Sequence, residues 1–121
     1  MRVLVVQNFD GTGLGRVGPA PAGGGAEIAL RRAPLGDALP ADAGGHDALV
    51  VLGGGQNARD DEGSPYIPAL LDLMRDFEQR DRAVLGICLG SQLLARAYGA
   101  EGLIGAAPDF GWRDIGLTEE G

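Results

Sequence analysis

The single cysteine of the sequence, Cys88, has both the chemistry and the setting of a nucleophile. It follows an apolar run over 82–87 that is typical of a buried strand, and apolar residues at helical spacing come after it. Gly86 and Gly90 flank it, each two residues away. A sharp strand-to-helix turn that exposes a nucleophile needs small residues at both places. The alternative is a small buried core cysteine; the paired glycines favour the nucleophile.

Two further features could complete such a site. Gln92 lies four residues after Cys88, so its amide rises one helical turn along the same face and could bind a substrate amide or carboxylate. Gly53-Gly54-Gly55 follows another strand-like run, where a bare backbone can direct N–H groups toward a developing negative charge. We predict an oxyanion hole made by the N–H groups of Gly54 and Leu89. The alternatives are an exposed helical glutamine and a plain glycine turn.

A thiol nucleophile usually needs a histidine base, and the sequence has one histidine, His46. His46 comes just before a strand, whereas Cys88 comes just after the end of a parallel neighbour. Six or seven residues at about 3.3 Å each would separate the two side chains by about 20 Å. We therefore predict that His46 is a loop residue. The chain then supplies a nucleophile, an oxyanion hole and a substrate-binding amide, but no base.

Two other patterns are weaker signs of a site. The segment over 13–18 fits the G-x-G-x-x-G pattern of dinucleotide sites, but Pro19 and Pro21 interrupt the helix that it should open. The acidic run over 60–62 could bind a hard cation, although three adjacent acids in a loop are usually solvated. We expect no cofactor and no metal ion.

The elements that must position these residues alternate between strands and helices. Strands are predicted over 2–7, 47–52 and 82–87, with a weaker one over 27–30. Helices are predicted over 65–80, with Ser64 as the capping residue, and over 91–98, ending at Gly99. This order predicts an α/β fold, a three-layer and mostly parallel sheet with helices on both faces.

Two segments depart from that alternation. The first crossover, over 14–25, contains prolines and a glycine run, so its helix should be short or frayed. Beyond Gly99, strand-like pieces over 101–104 and 112–117 are separated by a turn-rich segment over 105–111. This pattern predicts a hairpin.

Length and composition limit the function classes. The 121 residues suit one compact domain, 1–121. Ten basic residues against 17 acidic ones give a net charge of −7, so nucleic acid and anionic membranes are poor partners. A single cysteine excludes an internal disulfide framework, and the first apolar run is too short for a signal peptide or a membrane span. We expect a cytoplasmic protein.

The segment Gly86-Ile87-Cys88-Leu89-Gly90-Ser91-Gln92 resembles the G-x-C-x-G-x-Q signature of class I glutamine amidotransferases, the Cys-His-Glu glutaminase family. The strand ending in Gly53-Gly54, the helix start at Ser64-Pro65-Tyr66 and the hairpin from Gly111 are also similar to that family, above all to the glutaminase domain of GMP synthase. The resemblance implies a flavodoxin-like fold, L-glutamine as substrate and ammonia released through a Cys88 thioester. It also implies Gly54 and Leu89 as oxyanion donors and Gln92 as a glutamine contact.

The sequence departs from the family pattern in two ways. The family more often has Gly-Gly-Pro where this chain has Gly53-Gly54-Gly55. The His and Glu of the family's triad come from a second half, beyond a hairpin like the one expected here. The resemblance therefore implies a partial domain, the N-terminal half, inactive alone and completed by a second half or by a synthase or acceptor subunit. The alternatives are a catalytically silent binding or regulatory fragment and an enzyme similar to γ-glutamyl hydrolase.

Overall fold

A computed structural model of the chain describes residues 1–18, 23–102 and 111–119. The strands are β1 (Arg2–Gln7), β2 (Glu27–Arg32), β3 (Ala48–Val51) and β4 (Ala83–Gly86). The helices are α1 (Ile67–Gln79) and α2 (Leu89–Ala97), with 3-10 turns at Gly15–Val17 and Ala33–Leu35. Strands and helices therefore alternate along the second half of the chain, as the sequence predicts.

The strands form one parallel sheet in the order β2-β1-β3-β4. Val6 pairs with Val51, and Val51 pairs with Gly86, so the carboxyl ends of β1, β3 and β4 lie side by side. The parallel α/β architecture confirms the predicted fold class. Ligands of open parallel sheets bind beyond this edge.

Both faces of the two central strands are buried, which explains their uninterrupted apolar sequences. One face packs against α1 and α2 around Leu4, Leu49 and Phe77. The other face, around Val5 and Val50, packs against apolar residues of the segment between β1 and β2. The sheet is therefore the middle of three layers.

Helix α1 begins at Ile67, so the predicted start with Ser64 as cap is wrong. The residue before the helix is Tyr66, whose side chain makes no capping hydrogen bond. The Ser64 carbonyl accepts a hydrogen bond from the Ile67 N–H over 3.0 Å, which closes a separate turn. Pro68 explains the later start. In a helix capped by Ser64, the first helical hydrogen bond would run from the N–H of residue 68 to the Ser64 carbonyl, and proline has no N–H to donate. In the observed helix Pro68 lies in the first turn, where N–H groups have no intrahelical acceptor.

The ends of the expected elements differ in three other places. β2 continues to Arg32, beyond its predicted end at 30. The first crossover contains the 3-10 turn Gly15–Val17, and 19–22 lies outside the described residues. The prediction of a strand over 112–117 is wrong: these residues have no strand conformation and join no strand of the described chain, and a strand needs a neighbour to accept and donate its backbone hydrogen bonds. The rest of the expected hairpin, 103–110, lies outside the described residues.

Among the strands that the structure describes, β4 is an edge of the sheet and pairs with β3. Leu85 in this strand is 52% exposed, and Ile87 just after it is 38% exposed. Within the described ranges, no helix is long and apolar enough to cross a membrane.

Candidate active site

The chain turns sharply between β4 and α2, and Cys88 is at the turn. The Ile87 N–H still donates to the Val51 carbonyl over 2.9 Å, as in the sheet, and α2 begins at Leu89. Between them the Cys88 backbone has φ 54° and ψ −113°. A side-chain-bearing residue there costs about 1–3 kcal/mol, and such strain is typical of functional sites. The side chain of Cys88 is exposed.

The two glycines around Cys88 are required by backbone contacts. A Cβ on Gly86 would lie 2.7 Å from the Ser91 nitrogen, and a Cβ on Gly90 would lie 2.8 Å from the carbonyl carbon of Val51. Neither neighbour is a flexible side chain, so neither could move aside. The glycine spacing thus permits the close approach of α2 to both strands, as the sequence predicts.

The Gly53-Gly54 turn after β3 runs past the thiol. A Cβ on Gly53 would be 3.8 Å from Sγ of Cys88, and a Cβ on Gly54 would be 3.1 Å from Cδ2 of Leu89. The N–H groups of Gly54 and Leu89 donate no hydrogen bond to any described part of the chain. For Leu89 the reason is its place at the start of α2. Two unpaired donors therefore lie on the two segments that flank the thiol.

Gln92 lies one turn along α2 from Cys88. Its N–H donates to the Cys88 carbonyl over 3.2 Å, while its side chain is exposed. The structure thus brings all the sequence-predicted site residues to the carboxyl edge of β3 and β4: Cys88, Gly54, Leu89 and Gln92.

The family model of class I glutamine amidotransferases matches residues 28–115 of this chain. The chain belongs to the class I glutamine amidotransferase family. The match confirms the resemblance seen in the segment around Cys88.

Individual members of the family are similar over most of the chain. The glutamine amidotransferase-like protein YfeJ of Salmonella typhimurium is 39% identical over 97 residues, which make up 78% of this chain and 41% of the relative. The crystal structure of a glutamine amidotransferase from Thermotoga maritima is 27% identical with a TM-score of 0.74, over 82% of this chain and 43% of that one. A glutamine amido transferase from Methylobacillus flagellatus is 37% identical with a TM-score of 0.76, over 81% and 39%. The chain spans less than half the length of each.

His46 lies at the opposite end of the sheet from Cys88. It precedes β3, whereas Cys88 follows β4, and the two strands are parallel and in register. His46 is only 7% exposed, and neither ring nitrogen has a hydrogen-bond partner in the described part of the chain. Burial lowers the pKa of His46, and the nearby positive charge of Arg2 lowers it further. A neutral buried imidazole so placed cannot act as the base for Cys88.

Three polar residues beside the site were not predicted from the sequence: Asn8, Gln56 and Tyr66. Their side chains are joined by hydrogen bonds under the Gly53-Gly54 turn. Asn8 could have been found, because it directly follows a buried strand whose carboxyl end lies next to that of β3. For Gln56 and Tyr66, no local sequence pattern indicated that they would lie beside Asn8.

The middle residue of the acidic run over 60–62, Asp61, forms an ion pair with Arg96. Both carboxylate oxygens of Asp61 accept hydrogen bonds from Arg96, over 2.6 and 2.8 Å, and this pairing lowers the pKa of Asp61. Arg96 also donates to the Ala58 carbonyl over 2.7 Å. The pair thus ties the loop after Gly55 to α2. Among the residues that the structure describes, no group of three potential ligands could hold a metal ion.

Proposed function

We propose that this chain carries the nucleophile, the oxyanion hole and a glutamine contact of a glutamine amidotransferase, and that it is one partial domain. The observation that supports this most strongly is the strained backbone of Cys88, φ 54°, between the unpaired N–H groups of Gly54 and Leu89. A thiol beside two free donors suits attack on a carbonyl carbon, because the oxygen becomes negatively charged as the bond forms.

In the proposed reaction, the Cys88 thiolate attacks the side-chain amide carbon of L-glutamine. The oxygen of the tetrahedral intermediate accepts hydrogen bonds from Gly54 and Leu89. The C–N bond then breaks, the nitrogen takes a proton and leaves as ammonia, and a γ-glutamyl thioester remains on Sγ. Water attacks the thioester carbon and gives a proton back to the group that protonated the leaving nitrogen, which releases glutamate and returns the sulfur as thiolate. Gln92, one turn along α2, contacts the bound glutamine.

The proton that the leaving nitrogen takes needs a donor that the described residues do not supply near Cys88. His46 is buried at the other end of the sheet. We therefore propose that the base and its orienting carboxylate come from a segment outside these 121 residues or from a partner chain. The ammonia would pass to a synthase or acceptor subunit, as the similarity to the glutaminase domain of GMP synthase suggests.

Labelling with a chloroketone analogue of L-glutamine tests the nucleophile. Sγ displaces chloride and forms a C–S bond, so the reaction needs the thiolate and the glutamine site but no donor to protonate a leaving nitrogen. We expect one adduct per chain, located at Cys88 by peptide mass spectrometry and absent from a Cys88→Ser variant. Labelling no faster than that of free cysteine would contradict the proposal.

Ammonia release from glutamine tests the source of the base. We expect the 121-residue chain to release ammonia no faster than its Cys88→Ala variant. Turnover by the unmodified chain alone would show that the base lies within it. No turnover together with no chloroketone adduct would favour the alternative of a catalytically silent binding or regulatory fragment.

The second enzymatic alternative is hydrolysis of γ-glutamyl peptides, which needs the same nucleophile and oxyanion donors. Competition against chloroketone labelling separates the two. Protection by γ-glutamylglycine at concentrations where L-glutamine gives none would favour a γ-glutamyl hydrolase.

A further inference from the structure

A buried polar network lies under the Gly53-Gly54 turn, and no step of the proposed reaction uses it directly. Asn8 is fully buried, and its side-chain nitrogen donates to the Leu52 carbonyl over 2.7 Å. Its side-chain oxygen accepts a hydrogen bond from the Tyr66 hydroxyl over 2.9 Å. The Gln56 side-chain nitrogen donates to the Asn8 carbonyl and lies 3.4 Å from the Tyr66 hydroxyl. These bonds join the ends of β1 and β3 to the start of α1.

The network touches the turn that carries the oxyanion donor. A Cβ on Gly54 would lie 3.1 Å from Cβ of Asn8 and 3.1 Å from Cδ2 of Leu89, and it would overlap Oε1 of Gln56. Gly54 is therefore packed between the network and α2. Because Leu52 comes just before the turn, the bond to its carbonyl also fixes the direction in which the next peptides leave β3.

The hydroxyl of Tyr66 determines how the Asn8 amide is oriented. By donating to the side-chain oxygen, it leaves the side-chain nitrogen facing the Leu52 carbonyl. Burial raises the pKa of Tyr66, while a hydrogen bond from Ser64 opposes that change. The phenol therefore stays protonated and remains a donor at neutral pH.

We propose that Asn8, Gln56 and Tyr66 are positioning residues that hold the Gly54 N–H where it can donate to the oxyanion formed at Cys88. This inference rests on the proposed function. In it, the three side chains affect the step in which Sγ of Cys88 bonds to the amide carbon and the oxyanion forms. Thiol exposure and the glutamine contact of Gln92 do not depend on them.

The test compares two reagents on Tyr66→Phe, which removes one hydroxyl group. The glutamine chloroketone carries a carbonyl oxygen that reaches the oxyanion hole, whereas iodoacetamide alkylates the thiol without forming an oxyanion. Loss of an entire oxyanion donor costs 10²–10³-fold in rate, so we expect a misplaced donor to lower the maximal chloroketone rate about tenfold. The half-saturating chloroketone concentration and the iodoacetamide rate should stay within about twofold of wild type.

The chain offers a matched control, because its other tyrosine, Tyr98, is exposed at the end of α2. Tyr98→Phe should leave both rates unchanged. A maximal chloroketone rate within about twofold of wild type in Tyr66→Phe would overturn the positioning role. Equal losses with both reagents would also overturn it, since the defect would then lie in the thiol and not in the oxyanion hole.

A second variant keeps the test decisive if Tyr66→Phe does not fold. Gln56→Met removes the bond to the Asn8 carbonyl at a half-buried loop position, and the same criteria apply with an expected loss of at least about threefold. Failure of the proposed function would look different. In that case the wild-type chain itself would react with the chloroketone no faster than free cysteine.

Discussion

Gly90 packs its α-carbon directly against the backbone of Val51, so that a Cβ there would lie 2.8 Å from the Val51 carbonyl carbon. This contact lets the first turn of α2 lie against β3. The turn that carries Cys88 therefore depends on the absence of one side-chain carbon at Gly90, and a similar contact applies at Gly86.

Gly90→Ala should lower the free energy of unfolding by about 1–3 kcal/mol, because the added carbon must push α2 away from β3. The midpoint of urea unfolding measures the change. Gly13→Ala is the matched control, since a Cβ at Gly13 meets nothing within 4 Å, and its midpoint should be close to that of wild type. Equal midpoints for Gly90→Ala and wild type would mean that α2 does not pack this closely.

His46 should make the fold less stable in mild acid. Burial lowers the pKa of folded His46, whereas the unfolded residue titrates at about 6.5. Below about pH 6.5 the unfolded chain therefore binds a proton that the folded chain excludes, so stability is complete above that pH and declines as the pH falls toward about 5.

A His46→Leu variant tests this dependence, because neither ring nitrogen of His46 has a hydrogen bond to any described residue that the substitution would break. The variant should show a flatter plot of unfolding free energy against pH between about pH 7 and 5. The lowered pKa values of Asp61 and Asp76 also make stability depend on pH, but at lower pH, since carboxyls titrate at about 4. They therefore do not account for a change in stability between about pH 7 and 5. An identical slope in wild type and variant would exclude His46 as the cause.

The edge strand β4 should promote self-association. It exposes apolar Leu85, with Ile87 just after it, along an edge that no other described strand covers, which favours pairing with a strand of another chain. We expect the apparent mass in size-exclusion chromatography with light scattering to rise with concentration, and Leu85→Arg to suppress the rise. Leu35→Arg changes a comparably exposed leucine away from β4 and should not suppress the rise in apparent mass. A wild-type chain that stays monomeric at all concentrations would refute this prediction.

The sheet and its helices could be predicted from the sequence because the evidence for them is local. Strands buried on both faces need continuous apolar runs such as Val3 to Val6, and the sharp turn at Cys88 needs glycines at fixed spacing around it. The pairing of Asn8 with Tyr66 could not be predicted, because 58 residues separate them and only the assembled sheet brings them together. The start of α1 was missed because Ser64 and Pro65 are a strong local signal that Pro68 overrides.

Protection of Cys88 by glutamine tests the central claim, a glutamine site built around this thiol, most directly. The rate of chloroketone addition to the wild-type chain is measured by intact mass with L-glutamine, with D-glutamine and with neither. We predict that L-glutamine slows the addition in a saturable way and that D-glutamine does not. Addition at the same rate with and without L-glutamine would contradict the account.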